Sequence, residues 1–239
     1  FEIDITDLIP AGEKALLGVA VDNRVNHGTL PVGNEGVAFF GSDNPGIPSV
    51  ESAKQTRKKQ NFPNFDFFNF SGIHRPVRIY TTPVSYIEEI VLVPDISGTD
   101  GIVAYEVRTG GVPSDKEVTV KILDKEGECV ASASGRKGTV TIPQARLWWP
   151  FPGEPYLYSA EVTYGEDVYE ESFGIRTVKV EGTSFLINGE PFYFKGFGKH
   201  EDSPFHGRGI DICLDVKDVN LIHWLNANSF RTSHYPYAE

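Results

Sequence analysis

Two histidines occupy equivalent places in the C-terminal part of the chain, each just past a short run that is typical of a strand. His200 follows a run that reaches Phe197, and His234 comes at the C-terminal end of a run that begins at Phe230. A neutral imidazole binds sugar hydroxyls well, because one ring nitrogen donates a hydrogen bond while the other accepts one. The two histidines are therefore candidates for recognising a hydroxyl-rich ligand. The alternative is that each makes only structural hydrogen bonds.

Two carboxylates follow His200 directly, and they suggest two further kinds of chemistry. Glu201 or Asp202, together with both histidines, would supply the ligands of a metal site, although the chain has no compact ligand motif here. As a general acid and base, the two carboxyl groups would have to face each other across a substrate. Adjacent residues on an extended chain point to opposite sides, so Glu201 and Asp202 are poor candidates for such a pair.

A third acidic residue, Asp66, lies in the aromatic stretch 64–75, which contains four phenylalanines. A carboxylate in such surroundings is costly to bury without a partner. Asp66 is therefore either paired, for example with Arg75, or presented to a ligand. The residues themselves leave both alternatives open.

The elements that would position the two histidines are a strand, a helix and a second strand. Residues 185–194 are typical of a hairpin turning at Asn188-Gly189, and its second strand continues into the run before His200. Asp211 can cap a helix that ends at 226–228. The apolar residues of this helix recur at helical spacing: Ile212, Val216, Val219, Ile222 and Leu225. This order indicates a βαβ unit that opens a parallel sheet, with both histidines at the carboxyl ends of its strands.

The residues before about 170 carry strand signals and few helix signals. Short β-branched and aromatic runs alternate with Gly, Pro, Asp and Asn, a pattern that indicates a β-sandwich. The runs are 17–21, 77–80, 87–93, 118–123 and 139–142. A proline at position 83 and a change after Val180, from strand signals to a strand, helix, strand pattern, predict three domains. They span residues 1–83, 84–179 and 180–239, and the last of them is incomplete.

Two other features of the β-rich part have simple interpretations. Residues 41–60 are polar, rich in Pro, Gly and Ser, and end in a basic cluster. They form either a solvated loop or an anion-attracting rim near a pocket. The aromatic residues of the motifs at 147–150 and 156–158 are predicted to fill a core or a domain interface.

The composition excludes several classes of partner. The 239 residues include 22 basic and 33 acidic ones, for a net charge of −11. Such a protein is repelled by nucleic-acid phosphates and anionic lipid surfaces, which makes both unsuitable partners. No apolar run approaches the roughly 18–20 residues of a spanning helix. Because the N-terminus has no signal-peptide pattern and the chain has no Met, we interpret the sequence as an internal segment of a longer protein.

The cysteines and the single glycosylation sequon indicate a compartment. Cys129 and Cys213 fall in different predicted domains, and we interpret them as two buried free thiols. The sequon at 69–71 lies in the stretch around Asp66, where a glycan would obstruct a ligand. Both features favour a reducing bacterial cytoplasm.

Four stretches together are distinctive: 66–75, 187–202, 207–211 and 227–239. They contain Ser-Gly-Ile-His-Arg at 71–75, Tyr-Phe-Lys-Gly-Phe-Gly-Lys-His-Glu-Asp at 193–202, Gly-Arg-Gly-Ile-Asp at 207–211, and Arg-Thr-Ser-His-Tyr-Pro-Tyr-Ala-Glu at 231–239. With them the chain resembles the β-glucuronidases of glycoside hydrolase family 2 over nearly its whole length. The Ser-Gly-Ile-x-Arg and Ser-His-Tyr-Pro elements are similar across that family, β-galactosidases included. The longer forms at 193–202 and 231–239 point more narrowly to β-glucuronidases.

The resemblance implies a mostly β fold with an α/β end. Its parts would be the C-terminal part of a jelly-roll β-sandwich, an immunoglobulin-like β-sandwich, and the first βαβ unit of a (β/α)₈ TIM barrel. It also implies that Asp66 reaches a hydroxyl of the glycone, the sugar that is released. His200 and His234 would line the same subsite from the first two barrel strands, with Arg231 beside it.

The chemistry implied by the resemblance is retaining glycoside hydrolysis without a metal or cofactor, in which one glutamate protonates the leaving oxygen and another forms a glycosyl intermediate. Those glutamates would lie on later barrel strands, and the Asn-x-Lys element that recognises the glucuronate carboxylate is also missing from this segment. The segment alone is therefore expected to be inactive. The implied substrate is a β-glucuronide, and the implied assembly is a homo-oligomer, a tetramer by analogy. The alternatives are a β-galactosidase or β-mannosidase of the same family, or a non-catalytic carbohydrate-binding sandwich array.

Overall fold

The computed structural model describes residues 2–9, 12, 14–21, 72–233 and 235–238. Asp66, His234 and the polar segment 41–60 lie outside the described residues. The chain divides into two units. The larger comprises residues 78–199 and 216–233, and the described part of the smaller comprises residues 2–9, 12, 14–21, 72–77, 200–215 and 235–238.

Strands of the larger unit form a β-sandwich, because apolar and polar residues alternate along them. They are β1 (Ser85–Ser97), β2 (Asp100–Gly111), β3 (Val118–Leu123), β4 (Cys129–Ser134), β5 (Lys137–Ile142), β6 (Tyr158–Tyr164) and β7 (Asp167–Phe173). One sheet has the order β1-β2-β5 and the other β4-β3-β6-β7, with every neighbouring pair antiparallel.

The hydrophobic core lies between these two sheets. Along the paired strands β3 and β6, every second residue is at most 5% exposed: Val118, Val120, Ile122, Tyr158, Ala160, Val162 and Tyr164. Strand β2 contributes Val103, Tyr105 and Val107 from the opposite sheet. Tyr156 and Tyr158 are buried in the same core, as the aromatic motif predicted.

Three of the five strand predictions are confirmed and two are wrong. The runs 87–93, 118–123 and 139–142 lie in β1, β3 and β5. The runs 17–21 and 77–80 are described but are not in strands, and their apolar side chains are exposed. A β-branched run becomes a strand only when another strand pairs with it, and no described residue pairs with either run.

A buried carboxylate links the two sheets. Asp167, the first residue of β7, is 9% exposed, and its Oδ2 accepts a hydrogen bond from the Ile87 amide of β1 at 2.7 Å. A backbone N–H at this depth needs such an acceptor, because leaving it unpaired costs the full desolvation of the group.

Replacing Asp167 by Leu is expected to lower the free energy of unfolding by about 2 kcal/mol, because the Ile87 amide loses its acceptor. Urea unfolding followed by circular dichroism measures this loss. Asp167→Asn keeps an acceptor oxygen and is expected to lose less than half as much. The matched control Glu171→Ala, at an exposed position of the same strand, should change stability by less than about 0.5 kcal/mol. Equal losses in Asp167→Leu and Glu171→Ala would contradict the role of Asp167.

A hairpin follows the sandwich, as predicted from Asn188-Gly189. Strands β8 (Val178–Glu181), β9 (Ser184–Ile187) and β10 (Glu190–Pro191) form an antiparallel sheet. Asn188 and Gly189 have φ values of 52° and 80°, which suit a type I′ turn. The Asn188 side chain accepts from the Thr177 amide and donates to the Trp148 carbonyl, both at 2.9 Å. The turn is therefore fastened to the end of the sandwich.

The strand, helix, strand order is present after the hairpin. Strand β11 (Gly196–Lys199) pairs in parallel with β12 (Ser229–Thr232), and helix α1 (Ile212–Trp224) connects them. The expectation that the second hairpin strand continues unbroken to Phe197 is wrong, since β10 ends at Pro191. Proline has no N–H to donate to a ladder, and the chain leaves β9 before it pairs with β12.

Both ends of α1 follow from local sequence. Oδ1 of Asp211 accepts from the Leu214 amide at 3.2 Å, which confirms the predicted N-cap. At the other end Asn226 has a φ of 55°, and the amides of Asn226 and Ala227 donate to the carbonyls of His223 and Ile222. This is a Schellman cap, which satisfies the last carbonyls of a helix.

The prediction of two buried free thiols is half right. Cys129 and Cys213 are free, but both are exposed. Cys129 begins β4, which is an edge strand, and Cys213 lies in the first turn of α1. A strand edge and a helix end leave one side open to water, so neither side chain is enclosed. No helix in the described ranges is long and apolar enough to cross a membrane.

Candidate functional site

The parallel pair β11 and β12 brings the carboxyl ends of both strands to one edge. Lys199 pairs with Thr232 at the last position of each strand, and the Ser233 amide donates to the Lys199 carbonyl at 3.0 Å. His200 comes immediately after Lys199 in the chain, and His234 comes second after Thr232. The register therefore brings the two strand ends that precede these histidines in the chain to the same edge of the sheet.

Two glycines in β11 allow the close packing of this edge. A Cβ on Gly196 would lie 2.2 Å from the Ser229 carbonyl oxygen, and one on Gly198 would lie 2.9 Å from Oγ of Ser233. Ser233 is 2% exposed. Arg231, in β12, pairs with Gly198 of β11 and has an exposed side chain. Glycine is thus needed in β11 because side chains at these positions would collide with β12 and the residue after it.

Glu201 is the centre of an ionic cluster in the smaller unit. Its Oε1 lies 3.2 Å from Nη2 of Arg75 and 3.7 Å from Nη2 of Arg208, and its Oε2 accepts from the Ala238 amide at 2.8 Å. Arg75 also donates to the Pro236 carbonyl at 2.7 Å. The Glu201 side chain is 11% exposed. The Glu201 carboxylate therefore joins three separate segments of the chain, and its contacts are with the protein itself.

Asp202 has a different set of partners from Glu201. Its Oδ1 accepts a hydrogen bond from the Tyr235 hydroxyl at 3.0 Å and lies 3.5 Å from Nδ1 of His200. The Tyr235 hydroxyl in turn accepts from the Glu201 amide at 3.1 Å. The two adjacent carboxylates therefore serve separate groups of residues, which agrees with the argument against an acid and base pair.

The Tyr235 ring is enclosed by charged and aromatic groups. The Arg208 guanidinium lies 3.8 Å from the ring centroid, the His200 ring meets it edge-on at 5.8 Å, and the Tyr237 ring stacks at 5.5 Å. Burial raises the pKa of Tyr235 to about 12, with Asp202 adding to the effect against the Glu201 amide hydrogen bond. The hydroxyl thus keeps its proton at any pH near neutrality.

Three buried polar atoms beside this cluster have no hydrogen-bond partner within the described part of the chain. They are Nδ1 of His74, Nε of Arg75 and Nε of Arg208. Burial lowers the pKa of His74, and the positive charges of Arg208 and Arg75 lower it further. A neutral His74 is the form that fits beside two guanidinium groups.

The predicted site residues have different outcomes. His200 is half-buried beside Asp202 and Tyr235, and Arg231 lies on β12. Asp66 and His234 are outside the described residues, so their roles stay predictions, as does the pairing of Asp66 with Arg75. Among the residues described, no group of three or more His, Cys, Asp and Glu could hold a metal ion. The metal hypothesis rests on His234 and stays a hypothesis.

The sequence reasoning missed Arg208 and Tyr235. Both lie inside the motifs that carry the family resemblance, at 207–211 and 231–239, and this was the available signal. Two other histidines have structural partners: His206 contacts Asp211 at 3.0 Å, and the His223 ring stacks on Phe151 at 4.8 Å.

The arrangement of Asp202 and Tyr235 around His200 can orient its imidazole toward a hydroxyl-bearing ligand.

Two family models match adjacent parts of the chain. Residues 85–176 match "Glycosyl hydrolases family 2", and residues 178–239 match "Glycosyl hydrolases family 2, TIM barrel domain". Together these matches span everything from the start of β1 to the end of the chain except residue 177. They cover the sandwich, the hairpin and the strand, helix, strand unit.

Similar proteins are β-glucuronidases of bacteria and mammals. The β-glucuronidase of Paenibacillus borealis is 44% identical over all of this chain and 39% of its own length, and that of Sus scrofa is 42% identical over all of this chain and 37% of its own length. The solved β-glucuronidase of Faecalibacterium prausnitzii has a TM-score of 0.79 and 60% identity over 91% of this chain and 36% of its own.

A second solved structure, the Bifidobacterium dentium β-glucuronidase complexed with coumarin-3-O-glucuronide, has a TM-score of 0.79 and 51% identity over 91% of this chain and 38% of its own. The chain therefore spans less than two-fifths of the length of each of these four proteins. The family matches and the relatives agree, and the chain belongs to glycosyl hydrolases family 2.

Proposed function

We propose that this chain is the part of a retaining β-glucuronidase that supplies residues contacting the glycone. The observation that carries the proposal is the parallel register of β11 and β12, whose last residues pair with each other one and two positions before His200 and His234. In barrels of parallel strands the active site lies at that edge. The likeness to β-glucuronidases over the whole chain supports the same substrate class.

The finer architecture that we propose has three parts. Residues 1–83 end a jelly-roll sugar-binding domain, residues 84–179 form an immunoglobulin-like sandwich, and residues 180–239 begin a (β/α)₈ barrel. The two antiparallel sheets formed by strands β1 to β7 support the immunoglobulin-like sandwich. The parallel strands β11 and β12, which α1 connects, support the start of the barrel.

In the proposed site, Asp66, His200 and His234 hydrogen-bond the hydroxyl groups of the glucuronide, and Arg231 supports them. One glutamate from a later barrel strand protonates the leaving oxygen, and a second forms and releases the covalent glycosyl intermediate. A Ruminococcus gnavus β-glucuronidase with a TM-score of 0.67 and 42% identity is in complex with D-glucuronic acid, which supports glucuronate as the glycone here.

We also propose a homo-oligomer in a bacterial cytoplasm, without nucleic acid or membrane partners. The free thiols Cys129 and Cys213 support a reducing compartment, and the net charge of −11 opposes binding to phosphates and anionic lipids.

The full-length protein is expected to release p-nitrophenol from p-nitrophenyl β-D-glucuronide at least about 100-fold faster, as kcat/KM, than from the matching galactoside. Addition of EDTA should leave the rate unchanged, since the proposed mechanism uses no metal. Selectivity for the galactoside would agree with the proposed fold and mechanism but would contradict the proposal that the glycone is glucuronate. Inactivity on both substrates would refute the enzyme and favour a sugar-binding sandwich array.

A further inference from the structure

The Tyr235 hydroxyl bridges two consecutive residues of the segment that follows β11. It accepts a hydrogen bond from the Glu201 amide at 3.1 Å and donates one to Oδ1 of Asp202 at 3.0 Å. Tyr235 follows His234 directly in the chain, whereas Glu201 and Asp202 follow His200. The Tyr235 hydroxyl therefore connects the segment that follows β12 to the segment that follows β11.

The roles of donor and acceptor in this bridge are fixed by chemistry. A backbone amide can only donate, so the hydroxyl oxygen accepts from Glu201 and its single proton is directed to Asp202. The pKa of about 12 keeps that proton in place near neutral pH. Arg208, 3.8 Å from the ring centroid, covers one face of the ring and limits its movement.

Asp202 connects the bridge to His200. The same oxygen that accepts from Tyr235 lies 3.5 Å from Nδ1 of His200, which is longer than an ordinary hydrogen bond but close for an electrostatic contact. A carboxylate on this side favours the tautomer that carries its proton on Nδ1, and it leaves the lone pair on Nε2. Such contacts often tighten when a substrate is bound.

We propose that Asp202 and Tyr235 are positioning residues that hold the His200 imidazole in one orientation and one tautomer, with Nε2 as the acceptor for a hydroxyl group of the glycone. The pair acts through His200 and does not itself touch the sugar. This proposal rests on the proposed β-glucuronidase function, because it needs His200 to contact the substrate.

A double-mutant cycle in the full-length protein tests the pair. Asp202→Asn keeps the shape and an acceptor for Tyr235 but removes the charge next to Nδ1, so it is expected to lower kcat/KM for p-nitrophenyl β-D-glucuronide about 10-fold. The same substitution added to His200→Ala should lower kcat/KM less than about twofold, because a residue that acts through His200 has nothing left to orient.

A second variant and a control complete the cycle. Tyr235→Phe removes the bridging hydroxyl and is expected to lower kcat/KM in the same direction, again with little further effect in the His200→Ala protein. Asp211→Asn changes another carboxylate beside a histidine, His206, while keeping a capping side chain, and should change kcat/KM less than twofold. The melting temperature of every variant is measured to detect loss of folding.

The outcomes separate the two proposals. An active wild-type protein in which Asp202→Asn has no effect, or loses the same factor with and without His200, overturns the positioning pair alone. A wild-type protein inactive on both the glucuronide and the galactoside overturns the proposed function and the pair with it. If Asp202→Asn fails to fold, equal losses from Tyr235→Phe in both backgrounds overturn the pair.

Discussion

Replacing His200 by Ala in the full-length protein is expected to lower kcat/KM for p-nitrophenyl β-D-glucuronide by about 100-fold, because the hydrogen bond that we propose between this imidazole and the sugar is lost. This factor corresponds to about 2.7 kcal/mol of transition-state stabilisation. His234→Ala and Asp66→Ala should have effects of the same order, since all three residues are proposed to bind the glycone. Steady-state kinetics on the purified variants measures each loss.

The control for the His200 experiment is another histidine of the same unit. The His206 side chain is 59% exposed and its ring nitrogen Nδ1 lies 3.0 Å from Oδ2 of Asp211, so His206→Ala should keep kcat/KM within about twofold of wild type. The alternative reading of His200 as a structural histidine makes a different prediction. A lowered melting temperature with full specific activity of the folded fraction would support that reading and reject the role in substrate binding.

Replacing Glu201 by Ala is expected to destabilise the smaller unit by about 3 kcal/mol, because it leaves the Arg208 and Arg75 guanidinium groups without their carboxylate. The Arg208 side chain is 14% exposed, so its charge is poorly solvated once Glu201 is gone. Arg75 is 36% exposed and contributes less to the loss. The Ala238 amide loses its acceptor as well. Denaturant unfolding of the full-length protein, followed by tryptophan fluorescence, measures the change.

Two comparisons sharpen the Glu201 experiment. Glu201→Gln keeps an acceptor for the Ala238 amide and loses only the charge, so its destabilisation should be clearly smaller than that of Glu201→Ala. Glu171→Ala removes an exposed carboxylate from β7 and should have almost no effect. If Glu201→Ala unfolds at the same denaturant concentration as Glu171→Ala, the ionic cluster does not stabilise the fold.

Elements defined by neighbouring residues were predictable from the sequence. The turn at Asn188-Gly189 needs two residues that tolerate positive φ, and the start of α1 needs an oxygen from Asp211 three residues before an amide. Both signals are local, so no partner element has to be known. The runs 17–21 and 77–80 failed for the opposite reason, since a strand depends on a pairing partner that is distant in sequence.

The candidate site divides in the same way. The position of His200 directly after a strand was predictable from the adjoining residues, whereas its role in binding a sugar stays a prediction. The contact of Arg75 with Glu201 joins residues 126 positions apart, and the hydroxyl of Tyr235 reaches an amide 34 positions away. Contacts between residues so far apart leave no periodic pattern in the sequence, so the partners of Glu201 could not be predicted from it.

The side chain of Asn188 has a consequence for recombination between members of the family. Thr177, whose amide it binds, is the single residue between the two family matches, and Trp148 lies in the first of them. The apparent seam between the modules is therefore crossed by hydrogen bonds from an amide side chain in the second. A chimaera of two relatives joined at Thr177 is expected to keep both hydrogen bonds when the protein that supplies the hairpin has an asparagine at position 188.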